Sequence, residues 1–294
     1  STDGEKWARS SAPASYGLWS VKWVDGVFWS VGRGGEVITT TDGQTWETLL
    51  RTDTKAFFDF AHSDSAVVVV GWDLEDLENP GPAIGTSADG GHEWAFQTLP
   101  FEGALFGVEW TGERFVAVGM SGMVAASIDG FEWKARSLGQ EIVLDEVTWG
   151  GHSLVAIGGH YGVGPLFAVS RTGEDWELMN FPDELGGVDD LTWTGDCFVA
   201  VDRSRSHDQI LIASADGLVW SVESSGTALG LMTTASDGQQ LIATGLRGAI
   251  VRRTELPQCI PGPRNPTGRS LPTQSGKGTE DLLSATGSIW VGLP

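Results

Sequence analysis

The sequence predicts an all-β fold, a seven-bladed β-propeller of four-stranded antiparallel blades, on three regularities. An apolar strand of the form x-Φ-Val-Ala-Val-Gly recurs, a Ser-x-Asp-Gly-x-x-Trp turn recurs with it, and the two alternate at a spacing of about 43 residues along the 294-residue chain. Self-similarity at such a period, with a glycine and an aromatic in each unit, is the mark of a repeat that buries its apolar faces only by stacking on its neighbours.

The strand occurs at Val27–Gly32, Ala66–Gly71, Arg114–Gly119, Ser153–Gly158, Cys197–Asp202, Gln240–Gly245 and Ser288–Leu293. The turn occurs at Ser1–Trp7, Thr40–Trp46, Ser87–Trp94 with one extra residue, Ser127–Trp133, Ser170–Trp176 with Thr172 in place of Asp, and Ser214–Trp220. A degenerate seventh copy spans Arg253–Cys259. A third segment precedes each strand, as in Val21-Lys22-Trp23, Val108-Glu109-Trp110, Val147-Thr148-Trp149 and Leu191-Thr192-Trp193. Each unit thus reads as strand A, a short turn, strand B, a loop, strand C, the Asp-Gly turn and strand D. In that turn the glycine takes positive φ and the Asp accepts backbone N–H groups, while the Trp opening strand D packs between blades.

Residues 1–294 form one domain in this reading. Glu280–Leu293 supply strands A and B of the seventh blade and Ser1–Ser11 its turn and strand D, so N- and C-terminal strands pair in one blade and leave no open edge; six blades is the alternative. Only about four residues bridge the ends, against about ten in the short repeats. Residues upstream of Ser1 are therefore expected, or a seventh blade lacking most of strand C. Residues 261–278, rich in Pro, Gly, Ser and Thr without apolar period, read as an irregular loop between the sixth and seventh blades.

Composition narrows the function. The net charge is −21, with 39 acidic against 18 basic residues, of which five are Lys. Phosphate backbones and anionic membranes require clustered cations, so nucleic acid is excluded as a partner. No apolar run reaches the length of a membrane span. Cys197 and Cys259 fall on different strands of neighbouring units and are expected as free thiols. His62, His92, His152, His160 and His207 show no zinc spacing, and neither a nucleophile elbow nor a phosphate loop is present.

Five well-formed turns and two degraded ones resemble the Asp-box, or BNR, sialidase-type repeat propellers over essentially the whole chain. That family includes sialidases, other carbohydrate-active enzymes, sorting-receptor ectodomains and photosystem-assembly factors, so the resemblance implies a scaffold rather than one activity. It also implies that the Asp-box turns lie opposite the working face. The sialidase catalytic set is not matched: Arg-Ile-Pro is absent, and Tyr16 and Tyr161, the only tyrosines, lack the expected context.

Ligand sites are expected on the face bearing the B–C and D–A loops. The B–C loops are long in the second, fourth and fifth units, at 18, 14 and 14 residues from strand end to turn Asp. Trp72, Asp73 and Glu75 of the second unit, with Arg205 and Asp208 of the fifth, are candidate ligand-binding residues. His160, Tyr161, Arg203 and His207 are candidate catalytic groups, since His, Tyr, Arg and carboxylates on neighbouring blades suit acid–base chemistry. Acids at the starts of the innermost strands (Asp59, Asp145, Glu146, Asp189, Asp190, Asp281) suggest a carboxylate ring around the channel. Asp145, Glu146, Asp189 and Asp190 are its candidate metal ligands and Ca²⁺ the candidate ion, with plain hydration as the alternative and no cofactor required.

The expected function is a non-catalytic binding or assembly propeller, monomeric and secreted or otherwise extracytoplasmic, that recognises a protein or glycan through its loop-bearing face. The alternative is a carbohydrate-active hydrolase or polysaccharide lyase on the loops of blades four and five.

Overall fold

A computed structural model of the chain describes residues 8, 10–14, 16–160, 164–180, 187–201, 210–213 and 216–254. Blade one comprises β1 (Leu18–Val24), β2 (Val27–Gly32), β3 (Val37–Thr40) and β4 (Glu47–Leu50). Blade two comprises β5 (Lys55–His62), β6 (Val67–Asp73), β7 (Gly81–Ser87) and β8 (Ala95–Thr98). Blade three has β9 (Leu105–Trp110), β10 (Phe115–Gly119), β11 (Met123–Ser127) and β12 (Lys134–Ser137). Blade four has β13 (Ile142–Trp149), β14 (Leu154–His160), β15 (Gly164–Ser170) and β16 (Glu177–Asn180). Blade five has β17 (Asp190–Trp193), β18 (Phe198–Val201), β19 (Ile210–Ala213) and β20 (Trp220–Glu223), and a last sheet follows with β21 (Leu231–Ser236), β22 (Leu241–Gly245) and β23 (Ile250–Arg253). Every sheet is an antiparallel meander in chain order.

The described residues therefore make five four-stranded blades and one three-stranded sheet, which corrects the expectation of seven blades and equally the alternative of six. The seventh turn was the weakest ground for that count: residues 253–259 read Arg-Thr-Glu-Leu-Pro-Gln-Cys in the sequence, lacking the glycine that a tight hairpin uses at positive φ. Recurrence counts strand-like segments, whereas a blade needs four of them paired. The closing blade and the irregular loop at 261–278 were read from residues outside those described.

The second strands carry unbroken buried runs where they cross the core, as in β6. Val67, Val68, Val69 and Val70 of β6 are all 1% exposed or less. A half-buried or one-faced strand would alternate, so this run marks a strand covered on both faces. The apolar clusters sit between blades: Val68, Ile84, Leu105 and Phe115 join blades two and three, and Val118, Leu144 and Leu154 join blades three and four. In the last of these joints, Cys197 packs with Val199, Val201, Leu231 and Leu241 between blade five and the final sheet. Cys197 is disulfide-bonded, which corrects the free thiol expected; Cys259, the other cysteine of the chain, lies outside the described residues.

The glycine that ends the repeated strand has a steric cause. In five sheets the first strand carries a one-residue bulge opposite it, at Trp19, Phe58, Phe106, Asp145 and Met232. The bulge swings a carbonyl of the first strand toward the second. A Cβ at Gly71 would overlap the Ala56 oxygen, and one at Gly158 the Val143 oxygen. Blade five has Asp202 at the equivalent position, and its described β17–β18 register runs without a bulge.

The turns are held as their residue types require. Gly130 takes φ 81°. The Asp129 carboxylate accepts the N–H of Phe131 at 2.8 Å and of Glu132 at 3.0 Å, while Ser127 Oγ accepts the Gly130 N–H at 2.8 Å. Trp133 donates its indole N–H to the Gly130 carbonyl at 2.7 Å and packs half-buried against the joint with blade two. The Gly130 carbonyl also accepts the Thr86 hydroxyl at 2.6 Å, which fastens the turn to the preceding blade. Trp94 and Trp176 repeat the indole bond in blades two and four.

Two substitutions separate these devices in urea denaturation. Gly158→Ala forces a methyl into the Val143 carbonyl and should lower stability by about 2 kcal/mol. Trp133→Ala removes an inter-blade aromatic and should lower it by about 3 kcal/mol. Unchanged midpoints for either variant would contradict the packing described.

Candidate functional site

Two places gather polar groups. The first is a cleft of about 430 Å³ on blade two, between the B–C loop and the connection leaving β8. Asp73, Glu75, Asp76 and Glu102 bring carboxyl groups to it, and Leu99, Pro100, Phe101 and Pro80 supply an apolar lining. The loop is held from within: Asp73 accepts the Glu75 N–H at 3.0 Å, and Asp76 accepts the Glu78 N–H at 3.0 Å and the Asn79 N–H at 3.3 Å. Lys55, 7% exposed, is clamped by Asp73 at 3.0 Å and Glu75 at 2.9 Å. Burial pulls its ammonium pKa down, but the hydrogen bonds to Glu75 and Asp73 outweigh that and leave it raised. Leu77 at the loop tip is 78% exposed.

The sequence-predicted residues meet mixed outcomes. Asp73 and Glu75 line the cleft. Trp72 does not; it is half-buried in the sheet, and its indole nitrogen has no hydrogen-bond partner among the described residues. His160 ends β14, where its backbone pairs with Ile142 and Gly164. Tyr161, Arg203, Arg205, His207 and Asp208 lie outside the described residues, and with them the catalytic constellation expected on blades four and five.

The second place is the innermost strands. Asp59, 2% exposed on β5, accepts Ser20 Oγ at 2.8 Å and Lys22 Nζ at 2.9 Å from blade one, and the Val108 N–H at 3.0 Å from blade three. One carboxylate therefore ties three blades. Lys22 also donates to the Phe60 carbonyl at 2.8 Å and lies 5.4 Å from the Phe60 ring centroid. Farther round, Asp190 on β17 accepts the Thr234 N–H at 2.6 Å from the last sheet, and the Thr148 hydroxyl donates to the Leu191 carbonyl at 3.1 Å.

Register explains why these groups meet. Ser20, Asp59, Gly107, Glu146 and Thr233 each follow the bulge, and Asp190 is their counterpart in blade five. Lys22, Glu109 and Thr148 stand two residues further on, pointing to the same side of their strands. The bulge residues Trp19, Phe58 and Phe106 pack in series, with ring centroids 4.2 Å and 5.2 Å apart.

One ammonium serves this ring of carboxyls, and their acidities shift accordingly. Burial raises Glu109 to about 7, opposed by Lys22 and reinforced by Asp59. Burial raises Glu146 well above the usual range, with Asp59 adding to it and Lys22 opposing. Burial raises Asp190 to about 8 against the Thr234 N–H bond. Burial lowers the Lys22 pKa, but Asp59, Glu109 and Glu146 outweigh it and raise it overall. Of the metal-ligand candidates, Glu146 and Asp190 join this ring, Asp145 is the exposed bulge residue, and the Asp189 N–H pairs with Val201. Among the described residues no group of three or more His, Cys, Asp or Glu is placed to hold a metal ion.

Lys22 and Glu109 were missed as site residues although the signal was in view. They are the central residues of Val21-Lys22-Trp23 and Val108-Glu109-Trp110, where later units carry Thr. A charge in the middle of an otherwise apolar, repeated triplet marks a functional or paired position.

Asp59→Ala deletes three inter-blade bonds and strands the Lys22 ammonium. It should lower stability by about 3 kcal/mol, read as a shifted denaturation midpoint; an unchanged midpoint would show that the tie is dispensable.

No family model matches the chain, and no curated protein matches its sequence. Solved structures do match. The RRP9 WD40 repeats align at 10% identity and a TM-score of 0.59, covering 85% of this chain and 84% of theirs. The Cps50 (Swd1) β-propeller domain of Myceliophteria thermophila aligns at 14% identity and 0.58, covering 84% and 86%. YCF48 from Cyanidioschyzon merolae aligns at 17% identity and 0.49, covering 84% and 98%. At such identities the likeness concerns architecture, and together with the meandering sheets it makes the chain a β-propeller.

Proposed function

We propose that the chain is a non-catalytic binding propeller that captures a cationic segment of a partner protein in the blade-two cleft. The observation that carries this reading is the lining: four carboxyl-bearing residues above an apolar floor, with no Lys, Arg or His among them. Lys55, the nearby cation, is already consumed by Asp73 and Glu75. An amine or guanidinium would gain charge-assisted hydrogen bonds there, while its alkyl stem packs on Leu99, Pro100 and Phe101. The chain's −21 charge would steer such a partner inward over distances limited by salt.

A glycan favours broad stacking platforms, and among the described residues the cleft presents one aromatic, Phe101, while Trp72 is held in the sheet. The disulfide at Cys197 supports an oxidising, extracytoplasmic setting. No helix of the described residues is long and apolar enough to cross a membrane.

Fluorescence anisotropy with a Lys/Arg-rich peptide, a Glu-rich peptide and a neutral oligosaccharide tests the proposal. The basic peptide alone should bind, more weakly as salt rises. Asp76→Asn with Glu102→Gln should weaken it by about tenfold, chiefly through slower association. Binding of the oligosaccharide instead, or affinity for the basic peptide unchanged in the double variant, would refute it.

A further inference from the structure

The axial ring is left unused by the cleft, yet it is built with care. Lys22 and Glu109 stand at equivalent register positions on β1 and β9, with Asp59 of the intervening β5 between them. Lys22 Nζ is bonded to Asp59 and Phe60 of blade two, and its approach to the Val108 carbonyl, at 3.5 Å, brings it to the residue before Glu109. At Gly107 the innermost strands run so close that a Cβ would sit 3.1 Å from the Glu146 Cα. One ammonium is thus shared among closely packed strands that carry more carboxyls than it can neutralise.

We propose that this seam is a proton-operated clasp: while Glu109 is protonated, Lys22 is held by Asp59 and fastens blades one to three, and when Glu109 ionises it draws on the same ammonium and loosens the joint. The groups facing Glu109 are Lys22 and Asp59, and beyond them Glu146 and, through it, Asp190. The sign follows from where the proton binds. Glu109 is raised from 4.5 to about 7, so the folded chain holds a proton that the unfolded chain has lost. This contribution to stability is complete below about pH 4.5 and disappears as pH rises through about 7. Lys22, raised rather than lowered, stays charged throughout that window.

Melting temperatures of the full chain are measured between about pH 5 and about pH 8. The parent should lose several degrees as pH rises. Glu109→Gln, a neutral isostere of the protonated form, should make that slope measurably shallower, the remainder belonging to Glu146 and Asp190, whose carboxyls burial also raises. Glu113→Gln, at an exposed position on the same blade, should leave it as in the parent and so control for general charge repulsion. Parallel slopes for the parent and Glu109→Gln would overturn the clasp. Should Glu109→Gln not fold, carboxyl ¹³C titration of Glu109 in the parent decides: a midpoint near 7 accompanied by shifts at Lys22 supports the clasp, and a midpoint in the ordinary carboxylate range refutes it. Peptide affinity in the cleft is read separately, so failure of this proposal and failure of the binding proposal are distinguishable.

Discussion

The Asp59 carboxylate is the interaction on which the arrangement of the first three blades depends. At the axis, blades otherwise touch mainly through non-directional apolar faces, which fix separation well and rotation poorly. Bonds from Ser20, Lys22 and the Val108 N–H converge on two oxygens and set how far each blade turns about the axis. The bulge makes this geometry attainable by placing a polar side chain just after a residue that departs from the regular ladder. The glycine opposite it leaves room for the displaced carbonyl. Bulge, glycine and carboxylate thus form one device rather than three.

The same device accounts for the chemistry at the axis. A carboxyl brought into a narrow, poorly hydrated space is neutral unless a cation meets it. Lys22 satisfies Asp59 and little more. Glu109, Glu146 and Asp190 therefore hold protons more tightly than solvent-exposed acids do. The blade-two cleft is the opposite case: its acids sit at the rim in water, and its lysine is matched twice over. Interior and rim have the same excess of carboxyls but differ in solvation, so the interior suits proton storage and the rim suits recognition.

Much of this was legible in the sequence, for physical reasons that also explain the failures. The recurring second strands and the turns between third and fourth strands were placed because a short apolar run and an Asp-Gly turn are local properties. The acidic loop at Asp73 and Glu75 was found because an insertion into a minimal repeat stands out. Blade number was misread because it depends on whether each segment finds a partner, a non-local matter that the Arg253–Cys259 stretch does not encode. Trp72 was misplaced because an indole at the end of a strand can face either solvent or sheet, and only packing decides. The disulfide at Cys197 was missed because connectivity follows three-dimensional proximity, not strand assignment.

Thr172 gives blade four a distinct character. In the described turns of blades one, two, three and five a carboxylate holds the loop, as at Asp42, where the N–H groups of Thr45 and Gln44 pull its pKa down to about 2. Such a turn is anchored above the ordinary carboxylate range and lets go as acidity reaches that value. Thr172 accepts the Glu174 N–H at 3.1 Å with a hydroxyl that carries no charge, so its hold is indifferent to acid. Strong acid thus removes the carboxylate's share of the hold from the outer hairpins of blades one to three and leaves the blade-four turn as it was.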